Sequence, residues 1–143
     1  MSPKAVFYIL TDSTLKGRDL YACRVIEKAY SSGKTIYVNV DTLEEAQNFD
    51  TQLWTFRDIS FVPHEIYSLD SHSYAPVLIG YDNNILNEKR DILINISSEI
   101  PLFYKQFGHI IEVIPNDDNF KSAARKRYQT YQCSAYQMES FNI

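Results

Sequence analysis

Four residues near the end of the chain have the types and spacing to capture an anion beside an apolar group: Lys121, Arg125, Tyr128 and Gln129. With Gln132 they follow i, i+4, i+7, i+8, i+11, so on a helix they share one face. A guanidinium can donate two parallel hydrogen bonds to a carboxylate, and a ring one turn further on supplies an apolar wall. That combination suits capture of a carboxylate together with a hydrophobic side chain. The plainer reading is a solvated face, because basic residues late in a helix and aspartate at its start also complement the helix dipole. Lys126 is assigned to solvent. Arg127 falls among Phe120, Ala123, Ala124 and Tyr131, on the face suited to a sheet, and is expected to be ion-paired or snorkelling.

A second constellation is aromatic: Trp54, Phe61, Val62 and Pro63. A large ring at the end of a helix ordinarily covers a sheet edge, so the default for Trp54 is burial. In Ser60-Phe61-Val62-Pro63-His64 the proline holds Val62 extended, so neighbouring side chains must point in different directions and cannot all reach one core. Phe61 is therefore a candidate for an exposed protein-binding anchor.

Enzyme signatures are absent. The four glycines, Gly17, Gly33, Gly80 and Gly108, are scattered, and the first strand is followed by Asp12-Ser13-Thr14-Leu15-Lys16-Gly17. That is neither a dinucleotide nor a phosphate-loop pattern. Asp12 and Ser13 stand where ligands of open sheets bind, although capping the following helix is the ordinary role for such residues. His64, His72 and His109 show no zinc spacing, no Gly-x-Ser-x-Gly occurs, and neither cysteine adjoins a histidine. No metal, cofactor or catalytic group is expected. Cys23 and Cys133 read as reduced structural thiols.

These residues need a scaffold to hold them, and the hydropathy pattern describes one. Apolar runs at 5–10, 35–40, 76–81, 91–96 and 109–114 read as strands buried on both faces. Ala22, Val25, Ile26 and Ala29 mark a first helix ending at Ser31-Ser32-Gly33. Thr42-Leu43-Glu44-Glu45 has capping-box spacing and opens a second, with Ala46, Phe49, Asp50 and Leu53 on one side. Pro101 starts a short helix through Phe107, and the basic helix opens at Asp117 or Asp118 and runs to Gln132. Residues 55–76 break every period, which marks a functional or mobile segment. The expected fold is α/β: a single three-layer domain, residues 1–143, with a mostly parallel central sheet, Rossmann-like without the nucleotide-binding glycines. Residues 134–143 form a short, uncapped tail that packs as an extension or frays.

At 143 residues the chain is long enough to bury a core without staples. A net charge of −4 disfavours a surface that tracks phosphate backbone, so direct single-strand binding ranks low and nucleic-acid contact is expected to be indirect. The opening apolar run is too short for a signal sequence or a membrane span, and a cytoplasmic protein is expected.

Taken in order, Phe7-Tyr8, Ser32-Gly33-Lys34, Leu53-Trp54, Ser60-Phe61-Val62-Pro63-His64, Ala75-Pro76-Val77, Arg90-Asp91-Ile92-Leu93-Ile94, the Pro115 turn, Lys121 and Ala124-Arg125-Lys126-Arg127-Tyr128 run almost from end to end. Their order and spacing resemble the chi subunit family of the bacterial DNA polymerase III holoenzyme. The resemblance implies a non-catalytic accessory subunit of the clamp-loader complex in DNA replication, bridging the psi subunit to the acidic C-terminal tail of single-stranded DNA-binding protein. It assigns Lys121, Arg125, Tyr128 and Gln129 to the tail, and Trp54, Phe61, Val62 and Pro63 to psi, with a repair helicase as a further candidate for the psi surface. The chain departs from the family pattern at Gln129, where a lysine would add another positive charge. The competing class is a small nucleotide- or small-molecule-binding α/β enzyme with its site near Asp12.

Overall fold

The computed structural model describes residues 3–56, 61–67, 75–81 and 89–143. The chain runs through strand β1 (Lys4–Ile9), helix α1 (Leu15–Ser31), β2 (Ile36–Asn39), α2 (Leu43–Thr55), the strands β3 (His64–Ile66), β4 (Val77–Gly80), β5 (Ile92–Asn95) and β6 (His109–Ile114), and then α3 (Asp118–Cys133) and β7 (Gln137–Asn142). They form one seven-stranded sheet in the order β3-β4-β2-β5-β6-β1-β7, every neighbouring pair parallel. The sheet is thus wholly parallel, as expected where consecutive strands are joined by crossovers.

Two apolar layers sandwich it. On one face α1 and α2 bury Ala22, Cys23, Ile26, Ala46, Phe49 and Leu53 against Ile36, Val38, Ile79, Ile94 and Ile111. On the other, α3 and the segment before β6 bury Phe103, Phe107, Ala124 and Tyr131 against Phe7, Tyr37, Leu93 and Ile110. Because both faces are covered, all four residues of β2 and of β4 are buried, which is why these strands read as unbroken apolar runs.

The helix starts follow the local chemistry of the chain. Thr42 Oγ1 accepts from the Glu45 N–H at 3.2 Å, while the Glu45 carboxylate reaches back to the N–H of Asp41 at 3.4 Å, one residue before the cap. Asp117 Oδ1 accepts from the N–H groups of Asn119 and Phe120 at 2.9 and 3.2 Å, fixing the start of α3.

Several expectations need correction. The helix expected from Pro101 to Phe107 contracts to a single 3-10 turn, Tyr104–Gln106. The irregular stretch after α2 contains β3, a strand of three residues, too short to leave a period. Other parts of that stretch, 57–60 and 68–74, lie outside the described residues. Of the two alternatives for the tail, packing as an extension is the one observed: residues 137–142 are β7, paired with β1 along its whole length. The turn that makes this possible is a Schellman motif. The N–H of Tyr136 bonds to the carbonyl of Tyr131 at 3.1 Å, and that of Ala135 to Gln132 at 3.2 Å, with Ala135 at φ 67°. Glycine usually signals this motif, and here alanine occupies its place. Cys23 is buried, its thiol pushed up to about 12 by burial and Asp19, but Cys133 is exposed and has no structural role as a packed thiol.

Candidate functional site

One ion pair sets the rotation of α3. Glu112, at the middle of β6, is fully buried, and burial raises its carboxyl above the usual range against the opposing pull of Arg127. Arg127 Nε lies 3.1 and 3.2 Å from the two carboxylate oxygens, Tyr131 Oη donates at 2.7 Å and Asn95 Nδ2 at 2.9 Å. Arg127 also donates to the Ser98 carbonyl at 3.1 Å. Arg127 is thus ion-paired among the apolar positions, as its place on the helix requires. Phe120, expected on the same inner face, is instead 37% exposed, in the first turn of α3.

With Arg127 and Tyr131 fixed inward, the opposite flank of α3 is turned toward β1 and β7. There Lys121, Arg125, Tyr128, Gln129 and Gln132 line one side of a trough of about 570 Å³. Its floor is Phe7 and Ile9 of β1, with Ser140 and Asn142 beside them on β7. The Tyr128 ring rests on Phe7, centroids 5.3 Å apart, which holds it as an apolar wall. Arg125 and Gln129 are exposed, whereas Lys121 and Tyr128 are half-buried. The structure therefore brings all four predicted residues to one concavity, cationic at the rim and apolar at the base. The floor was missed, because Phe7 and Ile9 read as core and β7 was not recognised as a strand. Lys126 is exposed on the other flank, as expected, beside Pro101 and Leu102.

The aromatic constellation lies elsewhere, at the end of α2. Trp54, expected in the core, is 46% exposed. It follows Leu53, the last residue of the buried series Ala46, Phe49, Leu53, and so rides on the flank of the helix. Its ring lies 5.1 Å from Phe61 and 4.4 Å from His64. The alternation around Pro63 is as expected: Phe61 points outward, 61% exposed, and Val62 inward, 2% exposed. Val62 thus anchors the segment in the core, and Trp54 and Phe61 present the exposed apolar area with Pro63 half-buried behind them. His64 fixes the platform, its ring nitrogens lying 2.7 Å from the Val62 carbonyl and 3.2 Å from that of Asp50. Its part in the site went unnoticed because a histidine after proline carries no signal of its own.

At the third candidate position, Asp12 is engaged locally. Its carboxylate accepts from the Thr14 N–H and hydroxyl, both at 2.7 Å, and these bonds hold it below its usual range. Thr14 in turn caps α1 through the Gly17 N–H at 3.0 Å. A Cβ at Gly17 would meet the Asp12 carboxylate, which would have to shift from its place on Thr14. Among the described residues no group of three or more His, Cys, Asp or Glu could hold a metal ion, and no helix is long and apolar enough to cross a membrane.

Comparison with known proteins places this geometry in context. Residues 2–139 match the family described as DNA polymerase III chi subunit, HolC. The chain is 30% identical over 143 residues to the DNA polymerase III subunit chi of Haemophilus influenzae, covering 100% of this chain and 99% of the relative. It is 29% identical to the Pseudomonas aeruginosa protein of the same name, covering 96% and 94%, and 27% identical to that of Escherichia coli, covering 95% of each.

Proposed function

The chain belongs to the DNA polymerase III chi subunit family, and from that premise we propose that it is a non-catalytic accessory subunit of the clamp-loader complex. In this reading it bridges the psi subunit to the acidic C-terminal tail of single-stranded DNA-binding protein, and works in the cytoplasm. The observation that carries it is the trough between α3 and the β1–β7 floor, where Arg125 and Lys121 stand over Phe7, Ile9 and Tyr128. A peptide ending in a hydrophobic residue has its carboxylate and its apolar side chain within a few ångströms of each other, and such a trough offers each a partner.

Trp54 and Phe61 provide the second surface. Two adjacent, half-exposed rings on a platform fixed by His64 have the makings of an interface hot spot. The two surfaces share no residue, as a bridge between two partners requires. Gln129 puts a neutral amide at the trough rim where the family pattern has a cation, so tail binding is modest, and its salt dependence comes from Lys121 and Arg125.

A bridging assay tests the reading. With psi immobilised, single-stranded DNA-binding protein is retained only when the chain is added, retention is lost with Arg125→Ala, and the chain itself is lost with Phe61→Ala. Retention that survives Arg125→Ala, or a chain that fails to bind psi, contradicts it.

A further inference from the structure

The two edges of the sheet are not alike. β3 closes one with three residues, and a short edge strand gives little purchase for another chain. β7 forms the other with six residues, five of them exposed, and has neither proline nor lysine. Those are the residues that commonly blunt an edge. Among the described residues no strand lies beyond it.

The register shows which groups this edge presents. β7 runs parallel to β1, the Gln137 N–H bonding to the Pro3 carbonyl and the Ile143 N–H to the Ile9 carbonyl, both at 2.8 Å. By the period-two alternation of a strand, the odd-numbered residues turn their main-chain groups toward β1, and Met138, Ser140 and Asn142 turn theirs toward the open edge. The same alternation puts the side chains of these three on the α3 face: Met138 packs on the core there, and Ser140 and Asn142 line the trough. Ser140 and Asn142, which line the trough beside its β1 floor, therefore turn their N–H and C=O groups to the open edge. Glu139, the acid of this strand, projects to the opposite face.

We propose that the β7 edge takes an extended acidic peptide as an eighth strand. Its side chains on the α3 face enter the trough beneath Lys121 and Arg125. This inference rests on the trough being the tail-binding site, and adds that main-chain hydrogen bonds to Met138, Ser140 and Asn142 carry part of the affinity. The charge of the trough rim selects an acidic segment, and the edge selects one that is extended.

Two perturbations of the full-length chain test it, using a synthetic acidic peptide with a C-terminal phenylalanine. The first is backbone N-methylation of the peptide, one amide at a time, which removes a donor and leaves side chains intact. Methylation at alternate amides should weaken binding by about three- to tenfold, the usual worth of one hydrogen bond, with the intervening positions silent. The second is Ser140→Pro, which deletes an outward N–H where an edge strand tolerates proline. It should weaken the peptide by about the same factor, with an unchanged melting temperature, while Ser140→Ala has a smaller effect. If the unmodified peptide binds and no N-methylation matters, the eighth strand is overturned and the trough reading stands. If the unmodified peptide does not bind at all, both fall. If the chain is instead a dimer that Ser140→Pro makes monomeric, the edge belongs to a second copy and the proposal is overturned.

Discussion

Arg127 and Glu112 form a buried ion pair in which one guanidinium nitrogen lies 3.1 and 3.2 Å from the two oxygens of a fully buried carboxylate. The pair joins the middle of α3 to the middle of the sheet. It orients the helix so that Arg125, two residues earlier, faces the trough on the other flank. Removing one member strands a charge in the core, which costs about 3–5 kcal/mol. Arg127→Ala should lose stability on that scale in denaturant unfolding, and the double variant Glu112→Gln, Arg127→Met should recover part of it because no unpaired charge remains. A loss below about 1 kcal/mol in Arg127→Ala would show that the pair is not what fixes α3.

Ala135 sits at φ 67° in the Schellman turn between α3 and β7. A Cβ in the left-handed region is unfavourable, and glycine is free of that penalty. Ala135→Gly is expected to stabilise the chain by about 0.5–1 kcal/mol, read as a higher denaturant midpoint with an unchanged slope. Destabilisation would mean that the turn is not held in this geometry.

Trp54 and Phe61 are about half exposed, and their rings lie 5.1 Å apart. Replacing either by alanine should cost the isolated chain little, about 1 kcal/mol or less. The same change should weaken the psi complex by at least about 2 kcal/mol if the pair is its hot spot. Val62→Ala should do the reverse, because Val62 is a core residue, 2% exposed. Calorimetric melting of each variant beside its affinity for psi separates the two roles.

His109 opens β6 with its imidazole depressed below the ordinary value of 6.5, first by burial and then by Lys4 and Lys34, with Glu139 opposing. A depressed histidine is neutral in the folded chain and protonated more readily when unfolded. Its contribution is therefore present above about pH 6.5 and lost as pH falls through the lower folded value. The difference in stability between wild type and His109→Asn should shrink on acidification from pH 7 to pH 5. A difference independent of pH would remove His109 as the source.

The parts of this architecture legible in the sequence are those whose signal is local and repeated. β1, β2, β4, β5 and β6 are apolar runs because both faces of the sheet are covered, and α3 announces itself through Pro115, Asp117 and a helical spacing of cations. β3 has three residues and β7 is exposed over five of six, so neither can leave a hydrophobic pattern. The face of α3 was readable because Lys121, Arg125 and Tyr128 stand on one element. Its floor was not, because Phe7 and Ile9 meet Ser140 and Asn142 only through pairing of chain segments more than a hundred residues apart. Trp54 was misplaced for a related reason: its neighbours Phe61 and His64 are brought to it by the path of the chain after α2, which no period encodes.

Arg125 is exposed at the rim of the trough and belongs to neither apolar layer of the core. The most direct test is titration of the acidic C-terminal peptide of single-stranded DNA-binding protein into wild type and Arg125→Ala at low and at high salt. A charge-assisted contact is worth about 1.5–3 kcal/mol, so the variant should bind about ten- to a hundredfold more weakly at low salt with an unchanged melting temperature. The gap should narrow at high salt, where the wild-type contact is screened. Equal affinity of the two proteins at low salt would contradict the assignment of the trough.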